Sequence, residues 1–263
     1  MYHSPKVTNF STNNNTPIVM IYGGKDSEEK EFPHMAALGY GEQSDNEFFC
    51  GGSLILENFV LTAAHCLVSK IGPVRYVKLG IVDLFQSSSN NVQILNVMQT
   101  FQHEQYNSNT QYHDIALLKL NGSVVITDYV RPICLFSSNN YEDRNIVATG
   151  WGKTENEAVS VNLQKVGLEL FTQRECQVAY QNVPKEHLPL GIQESIQICA
   201  GSHSKNSDTC QGDSGGPIQI RKNNRWYLIG ITSVGLQCGI VNSPGVYTRI
   251  SAYFSWIKER ISN

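Results

Sequence analysis

Short apolar runs bounded by turn residues recur along most of the chain. Residues 52–56, 76–79, 92–97, 115–120, 226–231 and 245–248 are rich in Val, Ile, Leu and Tyr, with Gly, Asn, Ser or Pro close by. That pattern predicts β-strands ended by tight turns. Many short strands without alternating long helices favour an all-β antiparallel barrel or sandwich. Two helices are predicted. Residues 172–180 open with Thr172 followed by Glu175, a capping-box spacing. Residues 251–261 place Phe254, Ile257 and Ile261 at helical spacing, with Tyr253 and Trp256 beside them. This second segment reads as a helix that docks to close a barrel. The first 20 residues are polar, include Asn13-Asn14-Asn15 and show no period.

Composition narrows the choice. Of 263 residues, 41% are hydrophobic and 16% charged, enough apolar material for a substantial core. Twenty basic against 23 acidic residues give a net charge of -3, which argues against a nucleic-acid partner. No apolar run approaches the roughly 18 residues of a membrane span, so no membrane partner is expected. The opening Met1-Tyr2-His3-Ser4-Pro5-Lys6 lacks the apolar core of a signal peptide. A secreted chain with this start is expected to be a fragment, a mature form or an incomplete gene model. The seven cysteines include no CxxC pair, which disfavours a zinc ribbon or a thioredoxin-like site. Three disulfides and one odd thiol in an oxidising, extracellular setting is the expectation.

Three strings carry chemistry. Asp208-Thr209-Cys210-Gln211-Gly212-Asp213-Ser214-Gly215-Gly216-Pro217 sets a serine among glycines. Such a turn aims successive backbone N–H groups at one spot, where an oxyanion is stabilised. Leu61-Thr62-Ala63-Ala64-His65-Cys66 ends an apolar strand in a histidine, and His113-Asp114-Ile115-Ala116-Leu117-Leu118 heads another with an aspartate. Alone, they read as a Gly-rich turn, a core histidine and a capping aspartate. Together they supply a nucleophile, a base and an orienting carboxylate.

From Ile21 to Ile261 the sequence resembles the chymotrypsin/trypsin-like serine proteases, whose triad order is matched by His65, Asp114, Ser214. The resemblance implies two antiparallel six-stranded β-barrels and a C-terminal helix. Residues 1–20 would be an activation lead and 21–263 the peptidase domain. That domain divides near residue 130 into two barrels and ends in a closing helix over 251–261. It implies Ser214 as nucleophile, His65 as base and then acid, Asp114 as its orienting group, and the N–H groups of Gly212 and Ser214 as the oxyanion hole. Asp208 would floor the primary pocket and favour Arg or Lys, with Gly235 and Gly245 as pocket walls. Val234 stands where an aromatic residue is common, and Pro244 where sodium-responsive members carry Tyr. Ser233 matches a serine that hydrogen-bonds the triad aspartate; an ordinary strand serine bonded to backbone is the other reading.

The same resemblance makes Ile21 a new N-terminus, released by cleavage after Met20 and ion-paired with Asp213. Met20 is not the usual Arg or Lys, so a trypsin-like activator is expected to cut poorly. The implied disulfides are Cys50–Cys66, Cys176–Cys199 and Cys210–Cys238, with Ile146 and Ile220 where a further one often sits. Cys134 is left over and matches a tether to a light chain. Details such as Glu31-Phe32-Pro33-His34-Met35-Ala36-Ala37-Leu38 look most like arthropod clip-domain proteases. The implied partners are a protein substrate, an upstream activating protease and a macromolecular inhibitor such as a serpin. No cofactor is implied, and Leu79-Gly80-Ile81 lacks the first acidic ligand of a family calcium loop, so no metal is expected. Asn9, Asn14 and Asn121 begin N-x-[ST] sequons. The alternative function is a non-catalytic homologue acting as an adaptor.

Overall fold

The computed structural model describes residues 20–22, 24–43, 47–86, 89–110, 112–141, 145–152, 160–204, 208–210, 213–235 and 241–262, without side chains at 20–22 and 208–210. Two short strands come first, β1 (Met20–Tyr22) and β2 (Lys25–Asp26). The next group is β3 (Met35–Tyr40), β4 (Glu47–Leu56), β5 (Phe59–Thr62), β6 (Val68–Ser69), β7 (Gly72–Leu79), β8 (Gln93–Gln102) and β9 (Ala116–Leu120). Pairing runs β3-β4-β5-β9-β8-β7 and returns from β7 to β3. Six antiparallel strands thus close a first barrel, and closure removes the exposed edges that an open sheet would present.

The second group is β10 (Cys134–Leu135), β11 (Ile146–Gly150), β12 (Gln164–Leu170), β13 (Gln197–Gly201), β14 (Asp208–Cys210), β15 (Pro217–Lys222), β16 (Arg225–Val234) and β17 (Gly245–Arg249). Here β16-β15-β11-β12-β13-β17 closes through β16–β17, forming a second six-stranded barrel. The strand β10 adds in parallel to β16. Ile146 and Ile220 are register partners across β11 and β15. Both are buried in the second core with Ala148, Ile218 and Tyr247.

Both predicted helices form. Helix α1 (Gln173–Ala179) has Thr172 as its N-cap, and the capping box with Glu175 is complete. A 3-10 turn, Ile250–Tyr253, leads into α2 (Phe254–Ile261). One feature differs from expectation: Phe254 is 40% exposed, whereas Ile257 is 1% exposed. The turn before α2 rotates the buried stripe onto Tyr253, Ile257 and Ile261, spaced four apart, with Trp256 alongside. These residues pack into the first barrel's cluster, so the end of the chain fastens the two barrels together. No helix among the described residues is long and apolar enough to cross a membrane.

This packing separates two otherwise similar substitutions. Ile257→Ala should cost about 2–5 kcal/mol of unfolding free energy, and Phe254→Ala less than about 0.5 kcal/mol. Urea denaturation measures both, and equal losses would contradict the assigned helix face.

Candidate active site

His65 lies in a single 3-10 turn, Ala64–Leu67, immediately after β5. The turn is held on both sides. Cys66 is disulfide-bonded to Cys50 of β4, and its carbonyl accepts a hydrogen bond from Tyr40 Oη at 2.6 Å. Asp114 precedes β9 and is 4% exposed. Its two oxygens divide the work: Oδ2 lies 2.7 Å from His65 Nδ1, and Oδ1 accepts the His65 backbone N–H at 3.0 Å. Gripping ring and backbone together fixes both the position and the rotation of the imidazole. It also places the Nδ1 proton on the carboxylate side, leaving Nε2 free to accept one.

The second barrel completes the carboxylate's shell. Ser233 Oγ of β16 donates to Asp114 Oδ2 at 2.5 Å, and Thr248 Oγ1 of β17 donates to the Asp114 carbonyl at 2.7 Å. Of the two readings of Ser233, the bond to the carboxylate is the one observed. Thr248 had no sequence signal of its own, since a threonine in a buried strand looks like any other β-former. Burial opposes ionisation of Asp114, but the charge of His65 and the hydrogen bonds from His65 and Ser233 outweigh it and hold the carboxyl below its ordinary range. Burial likewise opposes protonation of His65; the charge and hydrogen bond of Asp114 outweigh that and raise its pKa above 6.5.

Ser214 is brought to the same place by backbone. Its carbonyl accepts from Gly51 N at 2.8 Å, and Gly51 adjoins Cys50, whose disulfide partner adjoins His65. Gly215 is in the left-handed region with φ 76°. A β-carbon there would collide with Thr62 Oγ1 and Gly51 O and stand 3.1 Å from Cys66 Sγ. Glycine is therefore required both for the turn and for the approach of the serine loop to the histidine loop. Among the described residues no hydrogen bond joins Ser214 Oγ to the His65 ring; such bonds commonly tighten only when substrate is bound. Asp213 is fully buried, and its Oδ1 accepts Gly152 N at 3.0 Å.

Residues 21–257 match the family model described as Trypsin. The chain belongs to the trypsin family of serine proteases. It is 41% identical over 251 residues to serine protease snk of Drosophila melanogaster, covering 92% of this chain and 57% of that protein. It is 35% identical to CLIP domain-containing serine protease C9 of Anopheles gambiae, covering 94% of this chain and 70% of that one. Its relatives also include the proclotting enzyme of Tachypleus tridentatus, at 35% identity over 94% of this chain and 68% of that protein. Among solved structures, mouse neuropsin superposes with a TM-score of 0.77 at 34% identity, covering 92% of this chain and all of that one.

The remaining site residues divide. Gly212 and Cys238 lie outside the described residues, as do the side chains of Asp208, Cys210 and Ile21, so the oxyanion hole, the pocket floor, the Cys210–Cys238 bridge and the Ile21–Asp213 pair are not seen. The backbone of β1 pairs with β14, with Met20 opposite Cys210 and Tyr22 opposite Asp208. The Met20–Ile21 bond thus runs along the strand that bears Asp208. A β-carbon on Gly235 would meet open space, and one on Gly245 would press against the Tyr247 ring. Val234 is buried in a cluster with Tyr112, Phe171 and Tyr180. Cys176–Cys199 forms, and Cys134 is an exposed free thiol. The grouping of Cys50, Cys66 and His65 is this disulfide beside the imidazole, with both thiols already spent.

The Asp114 charge and hydrogen bond raise the His65 pKa, which fixes the sign of one expected pH dependence. Protonated imidazole cannot accept a proton, so kcat/KM of the cleaved protein should fall as pH drops, with a midpoint above 6.5. Asp114→Asn should move that midpoint down and lower kcat by about 10⁴-fold. A wild-type midpoint at or below 6.5 would contradict the assigned pairing.

Proposed function

We propose that this trypsin-family chain is a secreted serine endopeptidase that cleaves after Arg or Lys, made as a zymogen opened at Met20–Ile21. The observation that carries the catalytic part is the grip of Asp114 on His65 through both carboxylate oxygens. An imidazole held with Nδ1 protonated has its basic Nε2 available to the serine loop. Ser214 Oγ attacks the scissile carbonyl carbon while His65 Nε2 takes its proton. The tetrahedral oxyanion is held by the N–H groups of Gly212 and Ser214. The intermediate collapses by breaking the C–N bond, and His65 returns the proton to the leaving amine. Water then attacks the acyl-Ser214 ester by the same route, releasing the acid and regenerating the serine.

Asp208 supports the Arg/Lys preference, since a carboxylate at the base of a partly dry slot pairs directly with a long cation. Opening the chain frees the Ile21 ammonium to pair with the buried Asp213 and order the oxyanion loop. That ammonium does not exist while the Met20–Ile21 bond is intact, so the uncut form is disfavoured as a catalyst. The names of the relatives, among them a proclotting enzyme and a phenoloxidase-activating factor, support a place in an extracellular proteolytic cascade. There the chain acts on a protein substrate, is opened by an upstream protease and is stopped by a macromolecular inhibitor of the serpin kind. Exposed Cys134 supports a tether to a light chain.

The test uses Met20→Lys, which lets trypsin open the chain at the same bond. A fluorophosphonate should label Ser214 stoichiometrically after cleavage and poorly before it. A peptide library should then show cutting after Arg and Lys. Asp208→Asn should cost about 2–5 kcal/mol, or roughly 30- to 5,000-fold in kcat/KM on those peptides. Absence of labelling after cleavage would replace the endopeptidase with a non-catalytic adaptor.

A further inference from the structure

Thr248 and Arg249 are neighbours on β17, and consecutive strand side chains point to opposite faces. Thr248 serves the carbonyl of Asp114; Arg249 points the other way, into a cavity of about 160 Å³. That volume is comparable to the roughly 150 Å³ engineered cavity that accepts benzene. Its wall includes Leu170, Phe171, Ile192 and Ile198. Arg249 and Tyr141 share it with further polar groups such as Gln173 and Asn139.

Arg249 is 7% exposed. Its Nε donates to Glu194 O at 2.8 Å, its Nη1 to Tyr141 Oη at 3.2 Å and its Nη2 to Gln197 O at 3.1 Å. A guanidinium carries five N–H donors, so two remain unspent. All three acceptors are neutral, two of them backbone carbonyls. Among the described residues no carboxylate comes within ion-pair distance of Arg249. A buried cation without a counter-ion is costly, and a planar fork with free donors matches a carboxylate in shape as well as charge.

We infer that this cavity binds a small monocarboxylate with an apolar body. The carboxylate takes the unspent N–H groups of Arg249, and the body lies against Leu170, Phe171, Ile192 and Ile198. Glu194 also lines the cavity, and its charge disfavours a doubly charged ligand such as sulfate or a dicarboxylate. The site is separate from the peptidase residues, so occupancy does not depend on catalysis.

Benzoate is the probe. Titrated into the full chain by calorimetry, it should bind saturably at one site and raise the unfolding temperature. Binding should survive labelling of Ser214 by the fluorophosphonate. Arg249→Lys should weaken it at least tenfold. Crystals of the wild-type chain soaked in 4-bromobenzoate give a readout that does not depend on any variant folding: the bromine anomalous peak should lie in this cavity with the carboxylate on Arg249. No saturable binding, bromine only elsewhere, or sulfate binding as tightly as benzoate would overturn the proposal.

Discussion

The buried carboxylate of Asp114 is the junction on which the structure turns. Desolvating it is expensive, and an ion pair alone seldom offsets that cost. Here the charge of His65 is joined by the His65 N–H and the hydroxyl of Ser233, while Thr248 satisfies the adjoining carbonyl. The first barrel supplies the acid and the base; the second supplies both hydroxyls. Neither barrel completes the shell alone, so the site exists only where the two halves meet. Burial and the nearby Asp114 charge also push the phenols of Tyr106 and Tyr253 upward, keeping them neutral beside it.

The same seam holds the serine loop against the histidine loop. Gly215 permits a backbone approach that no side chain would allow. The Gly51–Ser214 hydrogen bond and the Cys50–Cys66 bridge connect the two loops through a few bonds. On β17, strand alternation sends Thr248 to the Asp114 carbonyl and Arg249 into its cavity, so the second barrel presents polar chemistry on both sides of one strand.

Much of this was legible in the chain. His65, Asp114 and Ser214 stood out as candidates through their flanking strings, and the first two are found paired; Thr172 with Glu175 marked a helix start that formed as a full capping box. The six strands named from apolar runs all fall within observed strands, apart from a residue or so at their ends. Strands such as Met35–Tyr40, Phe59–Thr62 and Gln197–Gly201 are buried at every position, so no alternation flagged them. The outward turn of Phe254 was hidden because a 3-10 turn resets the helical phase. Thr248 and Arg249 were hidden because their partners lie far away in sequence, Asp114 for one and the 194–197 segment for the other. Local pattern records which residues are buried more readily than what a buried polar group will find there.

The pairing of His65 with Asp114 turns on the proton between them. Nitrogen-15 NMR of the folded chain at a pH well above the His65 titration, where the ring is neutral, reads that proton directly once the ring is assigned. It should sit on Nδ1 as a strongly downfield resonance, with Nε2 unprotonated, and Asp114→Asn should remove the downfield shift. A proton on Nε2 in the wild-type chain would contradict the pairing and the proteolytic mechanism built on it.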